Sequence, residues 1–253
     1  MNGIEVTPSS QAWANLGREL PRPRAVLVAS AHWESSVPTL SGNVQPETIH
    51  DFGGFPEALF AVRYPAPGAP ELATQAVDLL KGAGIAAGVN GCRGLDHGAW
   101  VPLKWMYANA DVPVVEISLQ PERGTAHHVE LGRALAPLAD DGVLIVGSGH
   151  ATHNLRDWMM NPRRREPLRY AQEFAGWLHE RLTAGDTDGL IAYRDRAPEA
   201  ARAHPTEEHF LPLFIAWGAA GTDSGAERII GGFEAGALAL DSYLFHPASL
   251  SIH

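Results

Sequence analysis

Cysteine is almost absent from this chain, with Cys92 alone among 253 residues. A single thiol excludes an internal disulfide and any cluster held by several thiolates, so neither can organise the fold. Positive charge is also scarce. Lys and Arg number 19 against 29 Asp and Glu, a net charge of −10, which makes a nucleic-acid backbone an unfavourable partner. No uninterrupted apolar run is long enough to span a bilayer. The opening Met1-Asn2-Gly3-Ile4-Glu5-Val6 lacks the basic and apolar regions of an export signal. These absences point to a cytoplasmic protein with neither membrane nor nucleic acid as partner.

What remains is ordinary globular material, 45% hydrophobic and 19% charged, which argues against disorder. The length suits one large domain or two small ones. With 26 Gly and 19 Pro, turns and loops must be frequent. Periodicity predicts helices over 10–20 (Trp13, Leu16, Leu20), 71–83 (Leu72, Ala76, Leu79, Leu80), 100–107, 127–138, 167–184 and 207–218. Short β-branched runs predict strands over 24–31, 112–119 and 143–147, with an alternating strand over 237–244. Residues 42–70, rich in Gly, Pro and aromatics, read as a long functional loop. The stretch Asn161-Pro162-Arg163-Arg164-Arg165-Glu166-Pro167 reads as an exposed connection, with attraction of an anionic substrate as the alternative role. Alternating strands and helices imply an α/β fold with a central mixed, mainly parallel sheet flanked by helices.

Histidine is abundant, 12 residues, and its placement is the sharpest signal. His32 ends the run Ala25–Ala31, His150 and His153 follow Val143–Gly149, and His204 and His209 bracket Pro205-Thr206-Glu207-Glu208. Ligands collect at the carboxyl ends of strands in α/β folds, and imidazole is the commonest ligand for a catalytic transition metal. Any one of these residues read singly could be a structural donor. Three loops sharing the habit point to a metal centre.

Chemistry-bearing residues concentrate in ordered segments. They are Ser30-Ala31-His32-Trp33, Thr48-Ile49-His50-Asp51-Phe52-Gly53-Gly54-Phe55-Pro56 continued by Arg63-Tyr64-Pro65-Ala66-Pro67-Gly68, Leu95-Asp96-His97-Gly98-Ala99-Trp100, Gly147-Ser148-Gly149-His150-Ala151-Thr152-His153-Asn154-Leu155 and His204-Pro205-Thr206-Glu207-Glu208-His209-Phe210-Leu211-Pro212-Leu213. As an ordered set over nearly the whole chain they resemble the class III extradiol ring-cleaving dioxygenases, in the DOPA 4,5-dioxygenase-like branch. The resemblance implies a single catalytic domain over 1–253 that opens a catechol-type ring with dioxygen. It implies His32 and His209 as metal ligands, and His153 as a ligand or as an acid/base beside the metal. It also implies His97 as an active-site residue, where the plain alternative is a helix-capping partner. The family carries a further ligand in a His-Gly-Ser-Pro motif just before a Met-Asn pair. This chain opens at Met1-Asn2, so the expectation is a domain without that first strand and ligand. A start lying upstream is the simpler account, and His50 is the conceivable substitute.

Extradiol cleavage needs one divalent metal with open positions, Fe(II) in the expected case and Zn(II) as a possible bound ion. It also needs a base for a catechol proton and an acid for the later bond cleavage, roles that suit the neutral imidazoles of His97 and His153. His50, Phe52 and Trp33 are the candidate substrate-binding residues, with Phe55 as a further aromatic wall. Two other readings compete. One is a zinc-dependent hydrolase with Glu207 or Glu208 as its base, and the other a non-enzymatic metal-binding homologue.

Overall fold

The apolar run beginning at Ala25 becomes the strand β1 (Ala25–Glu34) in the computed structural model, which describes residues 2–246. Its odd positions Ala25, Leu27 and Ala29 pack into one core cluster, and its even positions Val26 and Val28 into another. That alternation follows from the two-residue repeat of a strand, and burial on both faces requires helices on both. The other sheet strands are β2 (Thr39–Ser41), β3 (Gly88–Asn90), β4 (Val114–Leu119) and β5 (Val143–Ser148). They form one five-stranded sheet in the order β3-β2-β4-β1-β5. β1 runs parallel to β4 and β5, β2 runs parallel to β3, and β2 meets β4 antiparallel. The sheet is therefore mixed and mainly parallel, as the alternation of elements implies.

Helices α1 (Pro8–Glu19), α2 (Glu57–Phe60), α3 (Pro70–Gly82), α4 (His97–Met106) and α5 (Gly124–Asp140) lie between or before these strands. After β5 come α6 (Leu155–Met160), α7 (Arg169–Ala184), α8 (Thr187–Ile191), α9 (Tyr193–Arg196), α10 (Ala200–Ala203) and α11 (Leu211–Ala220). Leu72, Ala76 and Leu80 of α3, Leu131, Leu135 and Leu138 of α5, and Leu211 and Ile215 of α11 cover one sheet face. Trp100 and Leu103 of α4 cover the other, with Tyr64 and Tyr107. Each fully buried Val or Leu among them contributes roughly 1.5–3 kcal/mol. Among the described residues no helix is long and apolar enough to cross a membrane.

Several elements differ from the sequence reading. The last long helix begins at Leu211 rather than 207, because Glu207–Phe210 form a turn closed by the Phe210 N–H donating to Glu207 O at 2.8 Å. The alternating tail is not one strand. β8 (Leu238–Ala239) pairs with β7 (Phe233–Glu234), whereas β9 (Ser242–His246) pairs with β6 (Gly225–Ile230). The strands β2 and β3, three residues each, are too short for a periodic signal. The loop over 42–70 is largely irregular, with α2 inside it.

Candidate metal centre

The carboxyl end of β1 carries His32, and its strand alternation turns this side chain to the face covered by α4. There it meets His97, the first residue of α4, at 3.9 Å between ring centroids. The cap of that helix is Asp96, whose side chain accepts from the Ala99 N–H, so His97 is not the capping residue. Gly98 permits the approach: a Cβ there would lie 2.3 Å from Ser30 Oγ and 3.3 Å from a carbon of the His32 ring. On the other side of His32 stands His209, at 5.0 Å between centroids. His209 stacks on His153 at 3.4 Å with planes 9° apart, and His150 lies 5.5 Å from His153. The backbone fixes these last contacts. The His150 N–H donates to His209 O and the His153 N–H to Ala203 O, both at 2.8 Å. A Cβ at Gly149 would sit 2.1 Å from His209 O, so the glycine is what lets the two loops touch.

Two carboxylates back these rings. Asp51 Oδ1 accepts from His97 Nδ1 at 2.9 Å and from the His97 backbone N–H at 3.1 Å, while Oδ2 lies 3.4 Å from His32 Nδ1. Glu208 Oε1 accepts from His209 Nδ1 at 2.9 Å. Burial alone would raise both carboxyls. Hydrogen bonds from His97 and His209 outweigh it and bring each down to about 2. The imidazoles shift the same way for a different reason. Burial, then neighbouring imidazoles, lower His32 to about 3 and His153 to about 2, and burial followed by His209 lowers His150 to about 4. These rings are neutral near pH 7 and keep the lone pair a metal requires.

Beneath the cluster lies a buried polar network. Ser30 Oγ–H donates to Asp96 Oδ1 at 2.6 Å, Arg93 donates to Asp96 Oδ2 at 2.6 Å and to Glu116 at 3.3 Å, and the Asp96 N–H donates to Glu116 at 2.8 Å. Burial, reinforced by Asp96, pushes Glu116 well above the usual carboxylate range. Ser148 Oγ–H donates to Gly98 O at 2.6 Å. The start of α4 is thereby tied to β1, β4 and β5, of which β1 carries His32 and β5 leads into His150 and His153.

The structure gathers His32, His97, His153 and His209 in one continuous group of rings. Phe52 joins it, edge-on to His97 at 5.3 Å, and His50 stands one ring further out, 5.7 Å from Phe52 with its Nε2–H donating to Val62 O. Trp33 is not among these rings. Its neighbour in strand order, it is buried under the Arg93 guanidinium at 4.9 Å. Glu207, weighed as a base, is bound by Arg194 at 2.6 Å and Tyr193 at 2.8 Å. Asp51 was missed by residue-type reasoning, although it lies in the quoted segment between His50 and Phe52.

Donor atoms of His32, Asp51 and His97 lie within 4.8 Å of one another, as do those of His153, Glu208 and His209. Imidazole and carboxylate donors in such proximity fit a divalent transition metal. Fold and cluster together define an α/β protein with a histidine-rich candidate metal centre at the carboxyl ends of its strands. Residues 4–234 match the family described as the catalytic LigB subunit of aromatic ring-opening dioxygenase. The chain is 45% identical over 225 residues to a 4,5-DOPA dioxygenase extradiol of Beta vulgaris, covering 88% of this chain and 83% of that one. It is 37% identical over 245 residues to the protein of that name from Escherichia coli K12, covering 95% and 89%. A crystal structure of an uncharacterized Escherichia coli K12 protein superposes with a TM-score of 0.80 at 33% identity, covering 95% of this chain and 93% of that one. The chain belongs to the class III extradiol ring-cleaving dioxygenases, in their DOPA dioxygenase-like branch.

Proposed function

We propose that this chain opens a catechol-type ring in the extradiol manner with dioxygen, as one catalytic domain using a single divalent ion, Fe(II). His32, His153 and His209 would hold the ion, and His97 would be the proton-transfer group. The observation that carries this reading is the meeting of imidazoles from three separate segments, with ring centroids of His32 and His209 5.0 Å apart and those of His153 and His209 3.4 Å apart. When bound, such an ion supplies open positions and an electron path between an aromatic diol and dioxygen, which react poorly unaided.

The protein's own residues do the rest. His97 Nδ1 is engaged by Asp51, which leaves Nε2 to take a proton from a catechol hydroxyl and return it later. Phe52 walls one side of His97 and gives an aromatic ring a face to pack against. Glu208 holds His209 by its Nδ1, so its Nε2 is the nitrogen presented as a ligand. His50, one ring beyond Phe52, would edge the substrate pocket. Zn(II) could occupy the same donors without supporting oxygen chemistry.

The test is anaerobic loading with Fe(II) or with Zn(II), followed by oxygen-uptake and absorbance measurements with a panel of catechols. Oxygen uptake and a yellow ring-opened product with Fe(II) alone are expected. Zinc-dependent hydrolysis, or full Fe(II) loading with no uptake on any catechol, would refute the reading.

A further inference from the structure

We propose that Asp51 is a positioning residue that fixes the orientation and ring tautomer of His97, so that its Nε2 faces the site as the basic nitrogen. An ionised carboxylate can only accept hydrogen bonds, so the His97 nitrogen 2.9 Å from Asp51 Oδ1 must carry the proton. The same oxygen accepts the His97 backbone N–H at 3.1 Å, so one atom holds both the main chain and the ring. Among the described residues nothing hydrogen-bonds to His97 Nε2, whereas His32 and Phe52 pack against the ring.

Asp51 can do this because its loop is pinned to the His97 segment. Thr48 bridges Leu95 in parallel register. The Ile49 N–H donates to Leu95 O at 2.7 Å, the Leu95 N–H to Glu47 O at 2.7 Å, and Trp100 Nε1–H to Ile49 O at 2.8 Å. A loop held by three hydrogen bonds makes its carboxylate an organised part of the site, although the Asp51 side chain remains 25% exposed. Fixing the tautomer matters because an unrestrained imidazole divides between two forms, only one of which presents a basic Nε2. The catalytic consequence rests on His97 being the proton-transfer group, but the tautomer itself does not.

The experiment therefore separates the two. The metal-free protein, labelled with nitrogen-15 in histidine, is studied by long-range proton–nitrogen correlation at a pH where the imidazoles are neutral, with His97→Gln assigning the His97 signals. The expected result is the Nδ1–H form in the unaltered protein and a shift toward Nε2–H in Asp51→Ala. A predominant Nε2–H form in the unaltered protein overturns the proposal, even if Asp51→Ala fails to fold. In the Fe(II)-saturated enzyme, Asp51→Ala should lower kcat about 10–100-fold with KM unchanged. A rise in KM with kcat retained would overturn the positioning role. An inactive unaltered enzyme whose His97 shows the expected tautomer would overturn the catalytic consequence and leave the tautomer assignment supported.

Discussion

Replacing Gly98 with Ala sets two opposed effects against each other, and the structure decides which wins. Gly98 is the second residue of α4, among the helix glycines, where Ala is ordinarily favoured by about 1 kcal/mol. Here the added Cβ would lie 2.3 Å from Ser30 Oγ and 3.2 Å from Asp96 Oδ1, and both residues are fully buried. Either Ser30 rotates and gives up its 2.6 Å hydrogen bond to Asp96, or the start of α4 moves away from β1. Overpacking costs roughly 1–3 kcal/mol. A lost hydrogen bond to a charged group costs roughly 1.5–3 kcal/mol. Offset by helix propensity, the net destabilisation should be about 2–4 kcal/mol, which lowers Tm by roughly 5–15 °C in a chain of this size. The offending atom is Ser30 Oγ, so Ser30→Ala in the Gly98→Ala background should recover part of the loss. Urea and thermal unfolding of both single variants and the double should show a double-variant cost below the sum of the singles by about 1–3 kcal/mol. Strict additivity, or a Gly98→Ala protein more stable than the original, would refute this account of the α4–β1 contact.

His97→Ala should reduce turnover roughly 10²–10⁴-fold while leaving metal content nearly unchanged, as measured by steady-state kinetics and elemental analysis. Parallel loss of both would move His97 into the ligand set. Stability should fall with acid through histidines buried as neutral rings. Burial lowers His128 from 6.5 to about 4 and His204 from 6.5 to about 3, each against a raising contribution from a backbone carbonyl. Because the folded values lie below the unfolded one, the unfolded chain binds more protons between them. The stabilisation is complete above about pH 6.5 and is lost as pH falls toward 4 and 3. Each pH unit in that window costs about 1.4 kcal/mol per histidine. His128→Gln should remove one such increment from the slope of unfolding free energy against pH, and an unchanged slope would count against the neutral buried state.

Legibility in the sequence follows the range over which each signal acts. The strands β1, β4 and β5 and the helices α3, α5 and α7 were readable because each buries a local, periodic set of side chains. The short helices α6 and α8 were not, because each rests on one capping side chain, Asn154 and Asp186, rather than on an apolar stripe. The strands β2 and β3 have too few residues to show a period, and their pairing supplies what their length does not. Among site residues, imidazoles at strand ends could be singled out from type and position, whereas Asp51 looks like an ordinary loop carboxylate.

The sequence by itself determined that the sheet would be buried on both faces, that His32, His150 and His153 would lie at strand ends, and which ordered segments mark the family. Those properties depend on residues within a few positions of each other along the chain. Only the tertiary structure decided that the Asp51 carboxylate reaches His97 across 46 residues, and that Trp33 is buried under Arg93 while His32 faces α4. It likewise decided that Glu208 backs His209 while Glu207 is held by Arg194. Such pairings depend on strand register, on the approach of α4 to β1 that Gly98 permits, and on the packing of distant loops. None of these is encoded in the local alternation of apolar and polar side chains.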